Sequence, residues 1–153
     1  MALFNLTDLE AQLPPQARLL GLDPGAKRIG VALSDVGRRI ASPYGTLLRA
    51  KLKQNAAEVA AIAVKEGVGG LVIGLPLDEE QKFGPRAQAA RDWAHAMSAA
   101  TGLPVALRDE SFTTADAHER LIAADVSRAR RGEIIDKMAA AAILQAALDE
   151  MRK

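Results

Sequence analysis

The segment Ala17–Asp35, ARLLGLDPGAKRIGVALSD, constrains the fold more than any other part of the chain. Two apolar runs, Leu19–Leu22 and Ile29–Leu33, flank a polar elbow. The first reads as a buried strand and the second, which alternates, as its hairpin partner. A carboxylate, Asp23, closes the first run and is followed at once by Pro24, Gly25, Lys27 and Arg28. Two readings fit that elbow. Asp-Pro-Gly suits a type II turn, with Pro at i+1 and Gly at i+2. Alternatively the elbow holds something charged: Gly25 would let a phosphate approach the backbone, and Lys27 and Arg28 would meet it.

Residues 40–48, IASPYGTLL, supply a third extended piece, broken or at a sheet edge because of Pro43 and Gly45. The period then changes. Residues 51–67 place Ala56, Val59, Ala60, Ala63 and Val64 on a helical stripe that stops at Gly67. Gly70–Pro76 is a continuously apolar strand, expected where both faces are covered. A loop leads to a helix over 85–102, with Pro near its start and Gly after its end. Leu103–Glu110 is a further strand that ends in acid, 112–125 a helix with a Thr cap, 127–132 a basic loop, and 133–151 the last helix. Residues 1–16 read as an N-terminal extension ended by Pro14-Pro15, before a single domain over 17–153. The order β-β-β-α-β-α-β-α-α predicts an α/β fold: a central mixed five-stranded sheet with helices on both faces.

Composition narrows the function. The chain has no cysteine, which excludes a disulfide framework, thiol catalysis and Cys-ligated zinc. Its 20 basic and 19 acidic residues leave a net charge of +1, so any nucleic-acid surface must be local. Aromatics at 3% argue against recognition by base stacking. No apolar run approaches a membrane span, and the first residues lack the features of a signal peptide. A cytoplasmic protein is expected.

Three acids occupy element ends. Asp23 closes the first strand, Glu110 closes the last with Asp109 beside it, and Asp136 falls in the first turn of the final helix. Asp136 shares a helix face with Ala140, Ile143 and Ala147. Open α/β sheets gather their chemistry beyond the C-terminal strand ends. If the two strands share that edge, Asp23 and Glu110 converge, and alanines 139–142 let the final helix lie close enough to deliver Asp136. Converging carboxylates persist because a cation neutralises them. Oxygen-only ligands favour Mg²⁺ or Mn²⁺, and two such ions about 4 Å apart can clamp a phosphodiester during in-line displacement. Each acid also has a plain alternative: a turn for Asp23, a helix-dipole partner for Asp136, a solvated strand end for Asp109 and Glu110.

The segments LGLDPGAKRIGVALSD, GLVIGLPLDEE, LRDESFTTADAHERL and SRARRGEIIDKMAAAAILQ match, in order and spacing, the YqgF/RuvX family. The chain resembles these Holliday-junction resolvase-like proteins, also described as pre-16S rRNA nucleases, over nearly all of residues 18–148. The resemblance implies an RNase H-like fold in which Asp23, Glu110 and Asp136 form the acidic triad, with Asp109 as a fourth acid. One departure is visible: Ser111 stands where the family usually has Arg after the Asp-Glu pair. The resemblance further implies a nucleic-acid partner, an rRNA precursor or branched DNA, and an association with the ribosome.

Candidate nucleic-acid contacts are Lys27 and Arg28 at the elbow, Arg128, Arg130 and Arg131 before the last helix, Arg86 after the central loop, and Thr113 and Thr114, which more simply cap a helix. Trp93 reads as packing, and neither His95 nor His118 has a catalytic role. The reading is a metal-dependent phosphodiester hydrolase, monomeric or homodimeric, that processes the 5′ end of pre-16S rRNA or resolves branched DNA. The alternative is a nucleic-acid- or ribosome-binding protein with little nuclease activity. A strand-end Asp with a glycine-bearing hairpin also opens two-domain sugar kinases and actin-like ATPases, for which 153 residues supply only one domain.

Overall fold

The alternating segment folds as expected. In the computed structural model, which describes residues 3–76, 84–110 and 128–152, β2 (Arg18–Pro24), β3 (Arg28–Ser34) and β4 (Ala41–Leu48) form an antiparallel meander. Before it come β1 (Leu3–Phe4) and α1 (Leu6–Gln12); after it come α2 (Leu52–Glu66), β5 (Val68–Pro76), α3 (Pro85–Thr101), β6 (Val105–Glu110) and α4 (Arg128–Met151). The sheet order is β1-β6-β5-β2-β3-β4, with β2, β5 and β6 mutually parallel. The five expected strands are all present. A sixth is added where the N-terminal segment pairs Leu3 and Phe4 with Val105 and Ala106. The segment before residue 17 also contributes Leu9, fully buried beneath the sheet.

Helices cover both faces, as the periodicity requires. Leu20, Leu22, Ile29, Val31, Leu71 and Ile73 pack on one face under α2 and α3. Leu19, Ala32, Val72 and Ala106 pack on the other under α4. β5 is buried on both sides, which explains its continuous apolar run. β4 is the edge strand that Pro43 and Gly45 predict. Its register slips where Val31 faces Gly45 but Ala32 faces Pro43, leaving Tyr44 as the extra residue of a bulge.

Two expectations are corrected. The buried face of α2 is Asn55, Ala56, Val59 and Ala63, while Val64 points to solvent at 87% exposure. The stripe is centred one residue earlier than the apolar count suggests, because Asn55 belongs to it. Its amide accepts the Ala50 N–H and donates to the Leu48 carbonyl, tying the end of β4 to the helix. Second, residues 128–132 of the expected basic loop are helical, since α4 runs from Arg128 onward. Arginine and alanine favour that state, and Gly132 is a residue of the helix rather than the end of a loop. The expected helix over 112–125 lies outside the described residues, as do Ser111, Thr113 and Thr114. Among the described residues no helix is long and apolar enough to cross a membrane.

Candidate active site

Because β2, β5 and β6 are parallel, their C-terminal ends share one edge of the sheet, and β3 begins there. The register is Leu22 to Ile73 and Ile73 to Leu107, so Asp23 and Glu110 close neighbouring parts of the same edge. Glu110 pairs with Pro76 through the backbone. The side chains of Asp109 and Glu110 lie outside the described part of the structure.

Asp23 is not in a turn. It pairs with Gly30, and the next residue, Pro24, still pairs with Ile29. The chain reverses over Gly25–Arg28, where the Gly25 N–H donates to the Arg28 carbonyl at 2.9 Å. A type II turn needs its third residue at positive φ, and among the described residues only Gly67 and Gly102 are glycines of that kind. Gly25 is required by closeness instead: a Cβ there would lie 2.7 Å from the Arg28 carbonyl oxygen.

The same principle brings Asp136 to the edge. A Cβ on Gly30 would overlap the Asp136 carbonyl oxygen, and one on Gly21 would lie 2.8 Å from the Leu144 Cβ. Two strand glycines therefore let α4 lie against β2 and β3, with Ala139 and Ala140 buried on its side of the contact. Asp136 passes over Gly30, the ladder partner of Asp23. Asp136 thus lies over the strand residue that pairs with Asp23, although more than a hundred residues separate the two acids.

Asp136 is also deeper in its helix than its sequence context suggests. It is the ninth residue of α4, beyond the first turn where a helix dipole acts. Its partner is Arg28, whose Nε donates to Oδ2 at 2.6 Å, with both side chains about one-third exposed. The guanidinium lies where a Cβ of Gly132 would be, so this glycine makes room for it. Arg28, expected as a phosphate contact, is paired with Asp136. Lys27 is exposed in the turn. Arg128, Arg130 and Arg131 start α4, but their side chains lie outside the described part.

Asp23 and Asp136 offer oxygen donors only, which suits a hard divalent cation. The guanidinium on Asp136 shows that this position accepts a positive charge. Among the described residues no three acids or histidines already form a metal-holding group.

One cation escaped the sequence reading. Arg49 follows β4, stacks over the Trp93 ring with Cζ 5.6 Å from its centre, and donates from Nη1 to the Gly25 carbonyl at 2.8 Å. Its only signal in the sequence was its place at the end of the third strand. Trp93 packs against the core as expected, with this second role added. Arg49 and Arg86 both line a cavity beside the β2–β3 turn.

A family model described as RuvX, Holliday junction resolvase, matches residues 17–150. A protein of Acidiphilium cryptum named "Putative pre-16S rRNA nuclease" is 58% identical over 149 residues, covering 97% of this chain and 94% of its own. Proteins of the same name from Gluconacetobacter diazotrophicus and Gluconobacter oxydans are 54% and 50% identical, covering 97% and 99% of this chain and 97% and 96% of their own. Among solved structures, T. thermophilus RuvC in complex with a Holliday junction substrate superposes with a TM-score of 0.53 at 13% identity, over 90% of this chain and 97% of that one. The Fowlpox virus resolvase, solved with Holliday junction DNA, gives 0.52 at 10% identity over 89% and 99%. At such identities these two speak for the fold, which is RNase H-like.

Proposed function

Because this chain belongs to the RuvX family of Holliday junction resolvases, whose model spans residues 17–150, we propose that it is a divalent-metal-dependent nuclease of the cytoplasm. Its substrate on this reading is an rRNA precursor, as the names of its relatives suggest. The observation that carries the reading is the seating of Asp136 over Gly30, the ladder partner of Asp23. Residues 17–153 form the nuclease domain, and the residues before it extend the sheet and its core.

Asp23, Asp136 and Glu110 would hold Mg²⁺ or Mn²⁺. Glu110 rather than Asp109 is favoured, since it shares the strand parity of Ala106, which packs beneath α4. When bound, such a cation lowers the pKa of the attacking water and stabilises the charge that develops on the phosphate. The chain itself supplies position. Asp23 is fixed in a paired strand and Asp136 on a helix pressed against the sheet, so neither acid has to be ordered when substrate arrives. Arg28 keeps Asp136 in place by a charge-assisted hydrogen bond.

The test is cleavage with Mg²⁺ or Mn²⁺ of an rRNA precursor with an unprocessed end, a four-way DNA junction and a linear duplex. Asp23→Asn and Asp136→Asn should each lower the rate about a hundredfold or more while changing stability by no more than about 1 kcal/mol. Preferred cutting of the junction would reassign the substrate to branched DNA. If both variants cut at the wild-type rate, or no protein cuts, the acids are not catalytic and a binding role replaces the enzymatic one.

A further inference from the structure

We propose that the cavity between the β2–β3 turn and the start of α3 is a phosphate subsite, which grips a backbone phosphate of the substrate strand adjacent to the one that is cut. This rests on the nuclease reading above. The cavity has a volume of about 200 Å³ and is walled by Pro24 and Gly25 on one side and Ala89 and Ala90 on the other, with Arg49 and Arg86 beside them. That is smaller than the roughly 300–1,000 Å³ of a site for a drug-sized ligand, and it suits a compact group. Among the described residues the wall holds two cations and no carboxylate.

Arg49 is pre-organised for this task. Its backbone N–H donates to the Lys27 carbonyl at 2.9 Å, its guanidinium stacks on Trp93, and one of its N–H groups is committed to the Gly25 carbonyl. A guanidinium carries five N–H donors in a fixed fork, so the others remain available to phosphate oxygens. The small side chains of Ala89 and Ala90 keep the helix side of the cavity open. Gly25 is two residues beyond Asp23, so the cavity wall starts within about 7 Å of that acid along the chain. A strand crossing the sheet edge from Asp23 and Asp136 would pass over the turn and set its next phosphates against Arg49 and Arg86. The single tryptophan, unsuited to base stacking in a chain so poor in aromatics, thereby acts as the platform for an arginine.

The experiment measures binding of a labelled rRNA precursor fragment by fluorescence anisotropy, without divalent metal, between about 50 and 200 mM salt. Arg49→Gln and Arg86→Gln should each weaken binding several-fold and make the slope of log K against log salt shallower by about 0.7–0.9, one phosphate's worth. If both arginines hold one phosphate, the double variant loses that same single increment rather than two. Arg91→Gln, on the exposed part of α3, should leave the slope unchanged. Arg49→Lys is the companion variant should Arg49→Gln fail to fold; it should keep the slope but lose affinity, because lysine lacks the stacked fork.

Trp93 is the sole tryptophan, so its fluorescence reports on Arg49 directly. RNA should perturb it and inorganic phosphate at matched ionic strength should not. Unchanged slopes and affinities in both glutamine variants would overturn the subsite, as would saturation of the Trp93 signal by inorganic phosphate as tight as that by RNA. The two readings fail separately. Cleavage with unaffected slopes keeps the nuclease and removes the subsite, whereas arginine-dependent binding without cleavage removes the nuclease and, with it, the adjacent scissile phosphate.

Discussion

The two ends of β3 carry the same local sequence logic and opposite structural outcomes. At one end Asp23-Pro24-Gly25 precedes the strand; at the other Asp35-Val36-Gly37 follows it. Both are an acid, a spacer and a glycine beside an apolar run. Asp35 turns out to be bound by its own neighbourhood: Oδ1 accepts the N–H groups of Arg39 and Ile40 at 2.7 and 3.1 Å, and its carbonyl accepts that of Arg38. Those local hydrogen bonds lower its pKa below the ordinary value of 3.8. Asp23, by contrast, stays in the ladder, and Asp136 arrives from 108 residues beyond Arg28. A carboxylate satisfied by the next few N–H groups is a turn device. Asp136 is brought by long-range packing over the ladder partner of Asp23, with the Arg28 guanidinium on its Oδ2, the arrangement proposed above as a site.

The strongest way to break this contrast is through the glycines. Gly30→Ala puts a Cβ onto the Asp136 carbonyl oxygen. It should destabilise the protein by about 3 kcal/mol, at the upper end of overpacking costs, and cut cleavage along with it by displacing Asp136. Gly37→Ala, whose Cβ would meet nothing nearer than the Asp35 Oδ2 at 3.5 Å, should cost less than about 1 kcal/mol. Urea midpoints decide the matter: equal midpoints for the two variants would mean that α4 is not pressed onto β3 as described.

That asymmetry also explains what could be read from the sequence. Strand and helix periods were legible because Leu19–Leu22, Ile29–Leu33 and Gly70–Pro76 carry them within single segments. The sequence leaves the shared edge of Asp23 and Glu110 as a condition, and the parallel pairing of β2, β5 and β6 meets it. What local pattern could not show was which small residues were small for contact. Gly30 lies inside an alternating strand pattern, and Gly132 reads as the end of a loop, yet one seats the Asp136 backbone and the other makes room for Arg28. For the same reason α4 seemed to start after its arginines, and Asp136 seemed to sit in a first turn. Arg28 reads in the sequence as a phosphate contact or a plain turn residue, and its pairing with Asp136 depends on the approach of α4.

Arg28 gives the next, smaller test. Its ion pair with Asp136 is partly exposed, so its removal should change stability by no more than about 1 kcal/mol. Its charge nevertheless competes with any cation for the same oxygen. Arg28→Gln should therefore tighten Mn²⁺ binding about fivefold by calorimetry, equivalent to about 1 kcal/mol, while removing the clamp on Asp136. Weaker Mn²⁺ binding in this variant would show that holding the carboxylate in position outweighs competing for it.

The smallest effect belongs to the other end of the strand. The folded-state pKa of Asp35 is depressed, so its contribution is present above the unfolded value near 3.8 and fades as pH falls through the lower folded value. The side chain is exposed, which screens the interaction and limits it to less than about 1 kcal/mol at neutral pH. Asp35→Asn should lower stability slightly at pH 7, leave it unchanged well below pH 3.8, and leave cleavage and metal affinity at wild-type levels throughout. A loss of cleavage in this variant, with the fold intact, would erase the distinction between the two ends of β3. It would mean that the acid held by its own turn takes part in the chemistry as well.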